Sequence, residues 1–166
     1  MRTLFYDVYQ SPIGDITFVE FDDALCYLDF SENSDRLKRL LTIRFGKYRI
    51  ERGSILEIHS RLDAYFDFDW SAFDGLSITT GGTEFQQSVW RELGRIPTGS
   101  AISYQQLAKT INKPKAIRAV ASSNARNPIS IIIPCHRVIG KNGALRGYAG
   151  GLKRKQWLLE HEGMKL

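Results

Sequence analysis

Ile131-Ile132-Ile133-Pro134-Cys135-His136-Arg137-Val138 is the stretch around which the rest of the chain arranges itself. An apolar run stops at a proline, and a cysteine and a histidine follow at once. The residue before a proline is biased toward extended backbone. The run therefore predicts a strand-like segment that turns at Pro134 and holds Cys135 at the edge of a packed core. A nucleophilic thiol needs partial access and a neighbouring base or positive charge. His136 and Arg137 bring such groups within two residues. The other reading is a structural cysteine, because free Cys is among the most buried residue types.

Upstream of this stretch the helix signals are strong. Thr83 with Gln86 matches a capping box. Phe85, Val89, Trp90 and Leu93 then form one face, and Gly94 and Pro97 end the helix. Ser103 with Gln106 repeats the capping pattern, and Leu107 and Ile111 continue that helix to a break at Asn112-Lys113. Asn tolerates the left-handed backbone that a tight helix end needs. Pro114 suits the first turn of a following helix over 115–121, which runs into Ser122-Ser123. Two short helices joined by a tight turn read either as a helix-turn-helix or as an ordinary helical hairpin. In the first reading Lys115, Arg118 and Ser122 share one side, and small Ala and Ser residues let the backbone lie close to a duplex.

Downstream, a last helix is predicted from Lys153 to about Glu162, with Leu158, Leu159 and Glu162 on one side. A carboxylate on an apolar stripe is costly unless it is paired. Glu162 is thus either solvated past a frayed end or positioned to orient a histidine. The preceding Gly147-Tyr148-Ala149-Gly150-Gly151 is a flexible loop, bordering a pocket or forming a plain surface turn.

The first half has a different texture. Residues 3–9 and 16–20 read as strands around the turn Ser11-Pro12-Ile13-Gly14-Asp15, and a third strand covers 24–30. Together they predict a small antiparallel sheet. Helices follow over 35–45 (apolar Leu37, Leu40, Leu41, Ile43) and from about Ser54 (Ile55, Ile58, Leu62, Tyr65, Phe66). Asp67 to Gly82 has no period and reads as the linker between domains at 1–80 and 81–166.

Charge follows that division. Residues 1–80 hold 9 Lys and Arg against 14 Asp and Glu, a net of −5, whereas residues 81–166 hold 14 against 4, a net of +10. The second half has the electrostatic footprint of a nucleic-acid binder, or else a solvated basic face. No apolar run approaches membrane-spanning length, and Met1 to Asp7 lacks an apolar signal core. Two cysteines far apart in the sequence suggest no disulfide framework. Three histidines without a paired Cys motif argue against a zinc cluster. These features predict a reducing, cytoplasmic home with no metal and no cofactor.

The run Pro134-Cys135-His136-Arg137-Val138 resembles the active-site signature of the O6-alkylguanine-DNA alkyltransferases, the methylated-DNA–protein-cysteine methyltransferases. The resemblance extends over Gly82-Thr83-Glu84-Phe85-Gln86, Ile96-Pro97-x-Gly99, Ser103-Tyr104-x-x-Leu107-Ala108, Arg118-Ala119-Val120, Asn127-Pro128, Gly147-Tyr148-x-Gly150-Gly151 and Leu158-Leu159-x-x-Glu162. It covers essentially all of residues 82–162, whereas the acidic first half agrees only in layout. It implies an α+β protein: a small ribonuclease H-like α/β domain followed by a helical, winged-helix-like domain with a helix-turn-helix.

The implied activity is direct-reversal repair of double-stranded DNA, entered from the minor groove by a monomer that extrudes the damaged base. The alkyl group of O6-methylguanine, and of O4-methylthymine, passes irreversibly to Cys135. His136 takes the thiol proton through a water, Glu162 orients His136, and Asn127 braces the turn. Tyr104 helps rotate the nucleotide and donates a hydrogen bond to the leaving guanine, and Arg118 fills the gap in the stack. Lys115, Ser122 and Arg126 complete the DNA-binding set. The carbonyls of Cys135 and Val138 read the guanine amino group, and Tyr148, Ala149 and Gly150 cover the base. The chain departs from the family in having Ala121 where glycine is usual and Ala149 where some members have serine. It also lacks the metal-binding cysteines of others. The alternative, a non-catalytic alkyltransferase-like lesion binder, lacks the cysteine that Cys135 supplies here.

Overall fold

The computed structural model describes residues 1–166, which form two compact units, Met1–Gly81 and Gly82–Leu166. In the first, β1 (Arg2–Ser11), β2 (Gly14–Phe21) and β3 (Ala24–Phe30) form the expected antiparallel meander. The sheet is nevertheless mixed. A fourth strand, β4 (Tyr48–Arg52), pairs parallel to β1 and gives the order β3-β2-β1-β4. Sequence reading missed it because Tyr48-Arg49-Ile50-Glu51-Arg52 is short, charged and mostly exposed.

Helix α1 (Ser34–Phe45) covers one face of the sheet, with Leu41 and Phe45 packed among Leu4, Val19, Cys26 and Tyr27. Helix α2 (Leu56–Phe66) covers the other. There Phe66 stacks on Tyr9, and His59 meets Phe18 edge-on. Fully burying a side chain such as Leu41 or Phe18 contributes about 1.5–3 kcal/mol. Asp7 ties the strands to α2 by accepting from Ile55 N and from His59 Nε2 (3.1 and 2.9 Å). The stretch read as a linker, Asp67 to Gly82, belongs largely to this unit. Ser77 O accepts from Leu25 N, Thr79 N donates to Leu25 O, and Arg44 grips the Thr79 carbonyl at 2.7 Å.

The second unit is helical. The two predicted capping boxes are formed: Thr83 accepts from Gln86 N at the start of α3 (Glu84–Leu93), and Ser103 from Gln106 N at the start of α4 (Tyr104–Thr110). Asn112 has φ +61°, the left-handed turn expected of it. The next helix, α5, spans Ile117–Ala125 rather than 115–121. Lys115 consequently lies in the turn before it, because Pro114 serves the inter-helix turn and not the first helical turn. Two two-residue strands, β5 (Ile102–Ser103) and β6 (Val138–Ile139), pair parallel. Helix α6 (Leu152–His161) closes the unit on Leu158 and Leu159.

Candidate active site

The residues preceding Cys135 are not a strand. Ile131 has φ +70°, a costly region for a β-branched residue. Ile133 N donates to Ile129 O (3.0 Å) and Cys135 N to Ile133 O (2.8 Å), so Ser130 to Pro134 is a tight turn. Asn127 holds it from inside. Its Nδ2 donates to Ile133 O at 2.7 Å and its Oδ1 accepts from Ile129 N at 3.0 Å. The extended bias of a pre-proline residue constrains Ile133 alone, and this side chain fixes the rest.

Cys135 opens a single turn of 3-10 helix, Cys135–Arg137, with only 4% of its surface exposed. His136 is fully buried, and its Nε2 lies 2.8 Å from Glu162 Oε2. Arg137 grips the same carboxylate through Nε (2.8 Å) and Nη2 (3.0 Å). Its Nη1 donates to Ile96 O (2.7 Å) and its Nη2 reaches Thr98 Oγ1 (3.3 Å). The Ile96-Pro97-x-Gly99 motif thereby has a purpose. Gly99, at φ +82°, lets the turn approach Glu162 so closely that a Cβ would meet its carbonyl oxygen at 3.0 Å.

Glu162 is therefore buried and paired rather than frayed. Burial alone would raise its carboxyl; the hydrogen bonds and charges of His136 and Arg137 overcome this and hold it down at about 2. His136 moves the other way. Burial pushes it below its ordinary value against the pull of Glu162, aided by the charges of Arg137 and Lys155. At neutral pH the imidazole is uncharged, and Arg137 is the countercharge of the carboxylate. An ionised carboxylate only accepts, so Nε2 carries the proton. Nδ1 is left as a bare acceptor, buried and without a protein partner.

Lys155 was not singled out in the sequence. It is completely buried, and its Nζ donates to Val138 O (2.5 Å), Arg146 O (2.5 Å) and Gly147 O (3.3 Å). Burial lowers its ammonium to about 8, and the charge of a Cys135 thiolate partly offsets this. Lys155 thus supplies a positive charge that acts on the nucleophile, whereas Arg137 is committed to Glu162. Asn124 is a second omission: it is buried, and its Nδ2 lies 3.5 Å from Cys135 O.

Around this centre the Tyr148 ring meets His136 edge-on, 6.4 Å between centroids, and Ala149 and Gly150 follow in the loop before α6. Val138 O still has one lone pair beyond Lys155, whereas Cys135 O already takes Val138 N–H besides Asn124. Tyr104 is half-buried at the start of α4, and its hydroxyl reaches Arg146 O at 3.4 Å. Its phenol is raised by burial and by the Cys135 charge, and lowered by Arg146. Lys115, Arg118, Ser122 and Arg126 stand apart from this cluster, exposed on or beside α5, with Arg126 bonded to the Ser122 hydroxyl. The second cysteine is inert by contrast: burial in the first unit pushes the Cys26 thiol up to about 12.

A thiol at a braced turn, backed by a neutral histidine and a carboxylate within a basic helix-turn-helix unit, defines a DNA-binding protein with a nucleophilic cysteine. Comparison narrows the class. Residues 84–164 match the family described as 6-O-methylguanine DNA methyltransferase, DNA binding domain, and residues 4–78 match its ribonuclease-like domain. The Shigella flexneri methylated-DNA–protein-cysteine methyltransferase is 42% identical over all of this chain and 99% of its own. The crystal structure of Mycobacterium tuberculosis OGT in complex with DNA superposes with a TM-score of 0.81 at 38% identity, covering 95% of this chain and 92% of that one. O6-methylguanine-DNA methyltransferase from Pyrococcus kodakaraensis gives 0.75 at 25% identity, covering 96% and 99%. The chain belongs to the O6-alkylguanine-DNA alkyltransferase family, whose work is direct-reversal DNA repair by alkyl transfer to a protein cysteine.

Proposed function

We propose that Cys135 is the alkyl acceptor and that the substrate is O6-alkylguanine extruded from duplex DNA, reached through the minor groove by a monomer. The observation that carries this is the histidine tautomer. With Nε2–H committed to Glu162, His136 turns a bare Nδ1 toward proton uptake, and adjacent residues exchange that proton most simply through a water. The Cys135 sulfur then forms a bond to the alkyl carbon as the carbon–O6 bond breaks. The electron pair passes to the guanine ring, where the Tyr104 hydroxyl donates a hydrogen bond. Lys155 favours the thiolate, and Glu162 stabilises the imidazolium that follows, against the opposing charge of Arg137. The free lone pair of Val138 O suits the guanine amino group, with Tyr148, Ala149 and Gly150 over the base. Arg118, Lys115, Ser122 and Arg126 face the duplex.

Incubation with a duplex carrying methyl-labelled O6-methylguanine tests this. Label is expected on the Cys135 peptide alone, and Cys135→Ala should abolish transfer while leaving DNA binding largely intact. Label on Cys26 in that variant would overturn the assignment.

A further inference from the structure

Arg146 lies outside every motif of the site, yet three observations converge on it. Its carbonyl is the shared acceptor of the Tyr104 hydroxyl and the Lys155 ammonium, which fixes the residue beside the mouth of the site. Its side chain is exposed, takes part in no ion pair with a carboxylate, and is laid across Gly140. A Cβ on Gly140 would stand 2.7 Å from Arg146 Nε and 2.8 Å from Cδ. Gly140 has φ −73° and ψ 170°, backbone that any residue adopts. The absence of a side chain there provides room for the Arg146 stem and for Ala144 O, which a Cβ would meet at 3.0 Å, not freedom for the chain. The Arg146 stem lies against Gly140, and its charge is felt at the Tyr104 hydroxyl.

An exposed guanidinium without a carboxylate partner, beside the residues that would receive the base, has a natural ligand. Its planar fork of N–H donors matches the two free oxygens of a phosphodiester. We propose that Arg146 binds the backbone phosphate adjoining the extruded nucleotide, so that the loop over the base also anchors the strand from which the base has swung. The proposal rests on the repair reading above.

The test is a methylphosphonate scan. Neutral linkages are placed one at a time on either side of O6-methylguanine in a duplex, and single-turnover transfer is measured for the wild type and for Arg146→Gln. One position should slow the wild type about tenfold. Arg146→Gln should be slowed to a similar degree on the native duplex and lose little more at that position. Its duplex-to-free-base rate ratio should also fall about tenfold, and Arg146→Lys should recover part of it. Arg146→Ala, which removes the guanidinium and most of the stem, gives a second variant and should show the same loss of coupling. Additive effects at every position would overturn the proposal. So would equal slowing on duplex and free base, which would assign Arg146 to the chemistry at Tyr104. Failure of the wild type to transfer methyl from any duplex would instead sink the repair reading itself.

Discussion

Replacing Glu162 by Gln removes one charge from a buried set of three groups and leaves the shape nearly unchanged. The carboxyl is held at about 2 against an ordinary 4.5. At 1.36 kcal/mol per unit, that difference sets an upper bound of about 3 kcal/mol on the stability contributed, because part of it is the charge of an imidazole that is neutral at pH 7. The folded-state value is depressed, so this stability is fully present above pH 4.5 and is lost as the pH falls through the window from 4.5 to about 2. Removing the carboxylate also leaves the Arg137 guanidinium buried without a countercharge, for which the general cost of breaking a buried pair is about 3–5 kcal/mol. Urea unfolding can be followed by tryptophan fluorescence in a Trp70→Phe background, so that Trp90 and Trp157 report the second unit. Glu162→Gln should be about 3 kcal/mol less stable at pH 7, and the gap to the parent should close on acidification from pH 4.5 to 2. Titration of every other carboxylate is common to both proteins and cancels. A gap below about 1 kcal/mol at pH 7, or one that persists unchanged at pH 2, would refute the assignment of Glu162 as a charged strut. The same variant should react more slowly with a thiol reagent, its profile displaced to higher pH.

Other expectations concern the turn, the duplex and the product. Asn127→Ala strips Ile129 N of its buried acceptor and Ile133 O of a donor; a loss of about 2–4 kcal/mol is expected by chemical denaturation. Arg118→Ala, on an exposed position, should change stability by no more than about 0.5 kcal/mol. It should nevertheless slow transfer from duplex more than from free alkylated base, whereas Tyr104→Phe should slow both; equal losses for Arg118→Ala would remove its role in extrusion. Titration with excess methylated duplex should plateau at one methyl per protein. The methylated product should melt lower, because overpacking a buried site costs about 1–3 kcal/mol; sustained turnover would rule out a stoichiometric reaction.

Much of the second unit was legible because its signals are local. Capping boxes, the Asn112 turn and the apolar side of α6 each depend on residues within four positions of one another. What escaped depends on distant partners. The turn at Ser130 to Pro134 is shaped by Asn127 and not by the apolar run that suggested a strand. Arg137 adjoins the thiol in sequence, but the 3-10 turn aims it at a carboxylate 25 residues away. Lys155 had a signal that went unread. It falls three and four residues before Leu158 and Leu159 and seven before Glu162, on the same buried stripe, where lysine normally suggests a solvated face. β4 offered no periodicity, since its place is set by backbone pairing to β1.

The return of the 77–79 segment to β3 bears on where the protein can be divided. β3 ends the sheet, and an edge strand with bare N–H and C=O groups is a template for pairing with other chains. Here Ser77 and Thr79 engage both backbone groups of Leu25, and Arg44 fastens the cover by two bonds to Thr79. A fragment ending at Gly75 would lose that guard and present Leu25 to its neighbours. One ending at Gly81 would retain it. The same few residues that read as a featureless connector thus decide whether the β3 edge of the first unit is capped or bare at Leu25.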